Sequence, residues 1–256
     1  MRIEAAGTTH VGMKRDHNED SLLVLPDERV FVVADGMGGH ASGEVASGHA
    51  VQEIAEFFRM SGADAEVTWP FKPDRHRGYA ENRLLNAIQL ANRRIHEQAR
   101  GDARCRGMGT TLAAVHFAEG AAVIGWAGDS RVYRLRGGQL AQLSDDHSLL
   151  NDYLKAKRLS PEEIENFPHK HVIVRALGMK EHLEIDVVRD EVAEGDVYLI
   201  CSDGLTGMVP DDEVAEVLAR GGELAHAAQQ LVDRANAAGG NDNVTVVLAR
   251  VVALAA

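Results

Sequence analysis

The chain has 256 residues, 45% of them hydrophobic and 26% charged, the composition of an ordinary globular protein with one large core or two small ones. A net charge of −12 argues against a nucleic-acid or anionic-membrane surface. Met1–Gly7 has no apolar signal core, and the last apolar run, 244–256, is short and interrupted by Arg250, so a cytoplasmic protein is expected. Cys105 and Cys201 are far apart and lack a CxxC spacing, which fits a reducing compartment; Cys201, in an apolar run, reads as a small buried hydrophobe.

Along the chain, Lys14-Arg15-Asp16-His17-Asn18-Glu19-Asp20 precedes the first strand. Arg15 is either a two-pronged grip for a phosphate or a surface cation offsetting nearby acids. Glu19–Leu25 and Val30–Asp35 then read as two strands about a turn at Pro26-Asp27-Glu28-Arg29. Pairing them about that turn sets Leu25 opposite Val30, Ser21 opposite Ala34 and Asp20 opposite Asp35. Two adjacent carboxylates repel, so one holds a proton or a cation lies between them. The glycine-rich turn Gly36-Met37-Gly38-Gly39-His40 favours the cation. The same residues fit a GxGxxG/A nucleotide fingerprint, but Asp35 would face a pyrophosphate and no second strand with a ribose-binding acid follows.

Apolar spacing predicts a helix from Ser42 to Met60, a loop from Ser61 to Tyr79 whose Trp69, Phe71 and Tyr79 pack against the body, and a helix over Glu81–Arg100. Four strands follow, 110–117, 121–126, 131–136 and 140–143, with the spacing of an antiparallel meander. Asp129 stands in the turn between the middle pair and by itself could be a turn cap. The polar stretch from Asp145 to Lys170 reads as a partly helical flap, with a second helical turn at Pro161. His169-Lys170-His171 has strand spacing for a metal but no third ligand nearby. Val197–Cys201 is another apolar strand, ending at Asp203-Gly204. Helices near 212–219 and 223–236 follow, then a turn through Asp242 into a strand at 244–252. Antiparallel pairing of those two strands would bring Asp203 and Asp242 together.

Asp20, Asp35, Asp203 and Asp242 thus lie at strand ends with no histidine or cysteine beside them, a donor set for Mg²⁺ or Mn²⁺. Two such ions lower the pKa of a shared water and clamp a phosphoryl group.

Seven blocks, in order, resemble the bacterial metal-dependent serine/threonine protein phosphatases of type 2C, the PPM family. They are Arg15-x-x-Asn18-Glu19-Asp20, Val33-Ala-Asp35-Gly36-Met-Gly-Gly-His40, Met108-Gly-Thr-Thr111, Gly128-Asp129-Ser130-Arg131, Arg175-Ala-Leu-Gly178, Cys201-Ser-Asp203-Gly204-Leu205 and Gly240-Asn-Asp242-Asn243. The resemblance implies an α+β fold, a four-layer α-β-β-α sandwich of two antiparallel sheets. Residues 1–256 would form one catalytic domain with a flap at about 145–175. It implies hydrolysis of phosphoserine and phosphothreonine by in-line attack of a water bridging two Mn²⁺ or Mg²⁺ ions. Asp35 would bridge both ions, with the Gly36 carbonyl as a further ligand. Asp203 and Asp242 would complete the first site, and Asp20, with Glu19 beside it, would hold the second through water. Arg15 would bind the substrate phosphate, and Asp129 a weaker third ion. Arg15, Asp35 and Asp203 are the expected catalytic residues.

The expected partners are phosphorylated proteins, including autophosphorylated forms of a Ser/Thr kinase, with no nucleic acid or membrane, and the chain acting as a monomer. Two positions depart from the family pattern. Met37 stands where the eukaryotic branch has a histidine, and Gly207 where some members have a second acid. A catalytically silent phosphoprotein-binding or partner-switching module on the same fold is the alternative, although such a module would be expected to have lost carboxylates that are all present here. A nuclease is disfavoured by the acidic charge.

Overall fold

Alternate side chains of the Val30–Asp35 segment face opposite ways, as a strand requires. Val30, Val32 and Ala34 meet helices, while Phe31 and Val33 meet a second sheet. A computed structural model describes residues 1–38, 42–63, 68–156 and 172–254. One sheet runs in the order β2 (Asp20–Leu25), β3 (Val30–Met37), β5 (Leu112–Ala118), β6 (Ala121–Ala127) and β9 (Asp186–Glu191). A two-residue β4 (Gly109–Thr110) pairs with the end of β3. The other sheet runs β1 (Arg2–His10), β11 (Val244–Ala253), β10 (Val197–Cys201), β7 (Arg131–Arg136) and β8 (Gln139–Gln142). All pairings are antiparallel.

Helices α1 (Ser42–Ala63) and α2 (Tyr79–Gly101) cover the first sheet, burying Ile54, Phe58, Leu84 and Ile88 against it. Helices α5 (Asp211–Ala219) and α6 (Leu224–Ala237) cover the second through Val214, Leu231 and Val232. The shorter α3 (Leu149–Ala156) and α4 (Asp203–Thr206) complete the described helices. The layers are therefore α-β-β-α, as the resemblance implies.

The β2–β3 register matches the sequence reading, with Asp20 opposite Asp35 and Leu25 opposite Val30. The Arg29 N–H closes the turn on Pro26 O at 3.0 Å. Trp69 packs against Phe57 and Tyr79, with ring centroids 6.0 and 5.1 Å away, so the aromatics of that loop do dock on the body. Cys105 and Cys201 are free and buried.

Three features differ from the sequence reading. The four central strands are not one meander: β5 and β6 belong to the first sheet, β7 and β8 to the second, and the chain crosses between sheets at 128–130. β1 was not expected, because its small and polar residues are all exposed or half-buried. β9 is an edge strand whose Arg189, Asp190 and Glu191 hide its periodicity. The second helical turn at Pro161 and the 169–171 triplet lie outside the described residues, as does His40.

The sheets meet through aromatic rings. Phe117 stands edge-on to Phe31 at 5.8 Å and to Tyr198 at 5.1 Å, joining both sheets. Replacing Phe117 with Ala should cost about 3–5 kcal/mol of stability, and Leu clearly less. Urea unfolding checks this, and equal midpoints for wild type and F117A would contradict it.

Candidate metal centre

Five carboxyls meet at one end of the sandwich. Asp20 and Asp35 are cross-strand neighbours at the open end of β2–β3. Asp203 opens α4 directly after β10, and Asp242 lies just before β11. Cys201 pairs with Val246, so these two strand ends lie side by side. Gly204 makes the close approach possible, since a Cβ there would fall 1.9 Å from Asn243 O. Gly36 is equally confined, with 2.1 Å from such a Cβ to Gly43 O. Asp129 enters from the crossing between β6 and β7.

The acids act on one another. Asp35 keeps some solvent contact, but the protein packed around it pushes its carboxyl well above the ordinary 3.8, and the charges of Asp20, Asp203, Asp129 and Asp242 add to this. Burial raises Asp20 to about 6 against the opposing hydrogen bonds of Thr245 and Ser202, with help from the charges of Asp203 and Asp242. Burial, then Asp203 and Asp146, raise Asp129 to about 7. Among the described residues no basic side chain pairs with Asp20, Asp35 or Asp129.

A polar frame fixes these repelling groups. Asp20 Oδ2 accepts from Thr245 Oγ1 at 2.6 Å and from Ser202 Oγ at 2.8 Å. The Asp35 N–H donates to Thr111 Oγ1 at 3.1 Å, and Asp35 O accepts from Thr110 Oγ1 at 2.9 Å and from the Thr111 N–H at 2.8 Å. Thr111 Oγ1 in turn shares a 2.7 Å hydrogen bond with Ser130 Oγ beside Asp129. Asn243 donates to Val11 O and His17 O, each at 2.9 Å, and its Oδ1 accepts the Glu19 N–H at 2.8 Å. It thereby holds the N-terminal loop against the Asp242 turn. Sequence reasoning missed these supports, although each stands inside or beside a motif block.

The residues fit divalent cations. Asp20 Oδ1 and Asp129 Oδ1 are buried and accept no hydrogen bond within the described residues. An all-oxygen donor set suits Mg²⁺ or Mn²⁺. As they stand, no three His, Cys, Asp or Glu side chains among the described residues are drawn together closely enough to hold a metal ion; Asp242 Oδ2 instead accepts from Arg15 Nη2 at 2.6 Å. Arg15 is about half-exposed at the rim. Asp129 and Asp203 also line a cavity of about 280 Å³ together with Asp146 and Gly207. Asp129 is thus not a lone acid there, because Asp146 faces the same space, held by Arg131 at 2.8 and 2.7 Å.

Comparison with known proteins gives this geometry its family. Residues 6–248 match the protein phosphatase 2C family model. The serine/threonine phosphatase stp of Listeria monocytogenes is 37% identical over 253 residues, covering 96% of this chain and 95% of that protein. The Mycobacterium tuberculosis serine/threonine phosphatase PstP/Ppp superposes with a TM-score of 0.86 at 34% identity, over 99% of this chain and 100% of that one. A structure of the PstP catalytic domain in complex with two manganese ions aligns with a TM-score of 0.80 at 35% identity, over 98% and 99% of the two chains. With five acids gathered where that fold brings its strand ends together, this chain belongs to the protein phosphatase 2C family.

Proposed function

We propose that the protein removes phosphate from phosphoserine and phosphothreonine of other proteins, with Mn²⁺ or Mg²⁺ held by the strand-end acids. The observation that carries this reading is the buried carboxyl oxygens of Asp20 and Asp129, which have no hydrogen-bond partner among the described residues. Asp35 would serve two ions, with the Gly36 carbonyl beside it. Asp203 and Asp242 would complete one site, Asp20 with Glu19 the other, and Asp129 a weaker third. When bound, such ions acidify a water and neutralise phosphoryl oxygens for in-line displacement.

The protein's own groups orient and hold. Thr110 and Thr111 fix the Asp35 backbone, and Ser202 and Thr245 leave one Asp20 oxygen committed and the other available. Arg15 supplies a planar fork for two phosphate oxygens once Asp242 exchanges the guanidinium for a cation. Met37 has no proton to offer a leaving alkoxide.

Residues 1–256 act as one catalytic domain in this reading, with a flap expected at 145–175, of which 157–171 lie outside the described residues. Its neck is supported by the Ser148–Ile173 bridge and by the Val174 N–H donating to His147 O at 2.9 Å. His147 Nδ1 accepts the Gly128 N–H at 3.1 Å, tying the neck to the Asp129 turn. Free, buried cysteines agree with a cytoplasmic protein, and among the described residues no helix is long and apolar enough to cross a membrane. The substrates include autophosphorylated forms of a Ser/Thr kinase, met by a monomer. A silent binding module is disfavoured, because every carboxylate is retained and the relatives are named phosphatases.

Asp35→Asn should abolish Mn²⁺-dependent hydrolysis of a phosphopeptide while the fold survives. It should also change the pH response of the chelated protein. Below pH 3.8 the acids are protonated in both states; above it the unfolded chain ionises freely while the folded one confines repelling charges. The wild type's melting temperature in EDTA should therefore fall from about pH 4 to about 7, the range set by Asp20 and Asp129, and fall less in the variant. Wild-type turnover by the variant, or identical pH profiles, would refute the assignment.

Arg15→Ala should raise KM for a phosphopeptide by about tenfold or more, since a charge-assisted hydrogen bond contributes about 1.5–3 kcal/mol. Calorimetry should show Mn²⁺ binding no weaker than in the wild type. The reverse pattern would make Arg15 part of the metal scaffold.

Asp129→Ala should keep two tight Mn²⁺ ions and lower kcat strongly, for phosphoproteins at least as much as for an aryl phosphate. Metal stoichiometry with steady-state rates tests this. Loss of both tight ions would move Asp129 into the core site, and an unchanged rate would leave it a turn cap.

A further inference from the structure

Far from the carboxyls, the segment between α1 and α2 presents an apolar hollow to solvent. Trp69, Pro70, Phe71, Pro73 and Tyr79 line a cavity of about 480 Å³, with Lys72 at its rim. Tyr79 is 55% exposed, a large ring left in water at the start of a helix. The backbone around it is held firmly. Asn86 Oδ1 accepts the Phe71 N–H at 3.0 Å, and buried Asn82 accepts the Asp74 N–H at 2.7 Å while donating to Asp74 O, Arg77 O and Gly78 O at 2.9–3.0 Å. Trp69 is fixed between Phe57 and Tyr79, and Phe71 lies under Arg93, whose guanidinium carbon is 5.1 Å from the ring centroid. Such a hollow is preorganised, so a ligand meets little ordering cost there.

The chain carries −12, yet Lys72 lines the hollow and Arg93 covers Phe71, neither with a carboxylate partner among the described residues, and Arg75 of the same segment has none there either. Two described acids close by in the chain are engaged. Asp74 and Glu81 both face Arg77, at 3.5 and 3.9 Å, and Glu81 Oε2 also accepts the Gly78 N–H at 2.8 Å. Apolar walls with uncompensated cations complement an apolar side chain flanked by acids.

The hollow also leads toward the metal centre. Phe71 is shared with a second cavity along α2, lined further by Arg93, His182 and Leu183. His182 and Leu183 are shared with a third, beside Arg175 and Met179. Just before Met179, Leu177 exchanges two backbone hydrogen bonds with Thr110, the residue that holds Asp35 O. Glu181 and Glu184 lie at that far end, where Arg175 faces Glu184 at 3.6 Å.

The geometry points to a docking groove at 68–82 that takes a linear segment of the phosphoprotein substrate, an aromatic or branched aliphatic anchor set among Asp and Glu. The segment is distant in sequence from the phosphorylated residue and follows the cavities along α2 toward the carboxyls. This inference rests on the phosphatase reading for the identity of the partner, but the binding it describes does not.

A display library of random peptides, screened on the wild type and on Lys72→Glu/Arg75→Glu, tests the groove by binding alone. The wild type should enrich peptides with one apolar anchor among acids, and the charge-reversed protein should bind them at least about tenfold more weakly. Tyr79→Ser, which removes an exposed ring, should weaken them too. Joined through a flexible linker to a phosphothreonine peptide, an enriched sequence should lower KM about tenfold with kcat unchanged for the wild type, and give no gain with the charge-reversed protein. Rates on an aryl phosphate should be equal for both proteins. Basic or patternless enrichment, an equal gain in both proteins, or competition by the aryl phosphate would overturn the groove. Dimers that dissolve on charge reversal would assign it to a second copy of the chain instead. Absence of Mn²⁺-dependent aryl phosphatase activity would defeat the phosphatase reading and leave the peptide selection standing.

Discussion

Mutual repulsion among Asp20, Asp35, Asp129, Asp203 and Asp242 is the constraint on which the catalytic end of the sandwich depends. Burial raises the cost of ionising Asp20, Asp35 and Asp129, and the charges of neighbouring acids add to it. A fold left to its own stability would separate these groups or pair them with cations from its own side chains. Among the described residues the pairing is withheld from Asp20, Asp35 and Asp129, while Asp242 meets an arginine at the exposed rim. An exposed pair of that kind is weak, about 0–1 kcal/mol, so it yields readily to a stronger cation.

The repulsion is borne by backbone and hydroxyl groups rather than by countercharge. Strand register fixes Asp20 opposite Asp35, and Thr110, Thr111, Ser202 and Thr245 then hold the backbone or one carboxyl oxygen at a time. Neutral donors of this sort orient a carboxylate without neutralising it. The remaining oxygens keep their full capacity for a metal.

The legibility of the sequence follows the same division. The hairpin register was readable because a tight turn and an apolar run leave one pairing, and because four acids recurring at strand ends are unusual although one Asp-Gly is commonplace. The site acids were readable for that reason too, and their family blocks strengthened the reading. The crossing between β6 and β7 was not readable, since Gly128-Asp129-Ser130 has the length of a hairpin turn whether or not it changes sheets. β1 escaped because Ala5, Ala6 and Gly7 carry no strand preference of their own and take their place from β11. The supporting hydroxyls escaped because Ser and Thr are common everywhere, and only three-dimensional proximity separates a support from a surface residue. Asp146 escaped because its approach to Asp129 spans the whole β7–β8 hairpin.

The site also inherits a dependence on the core. Asp20 and Asp35 come from one sheet, Asp203 and Asp242 from the ends of strands in the other, and Asp129 from the chain that passes between them. Among the described residues the two sheets share no backbone ladder; their relative position is set by the layer of Phe31, Phe117, Ile124, Tyr198 and Val247 packed between them. Hydrogen bonds across the gap, from Ser202 and Thr245 to Asp20 and from the Glu19 N–H to Asn243 Oδ1, then adjust the last fraction of the alignment. Interior packing is dense and resists small displacement. A change in side-chain volume in that layer therefore shifts one pair of acids against the other and alters the metal centre without touching a ligand. In this fold the apolar layer between the sheets does more than stabilise, because it sets the distance between carboxyls that would otherwise move apart.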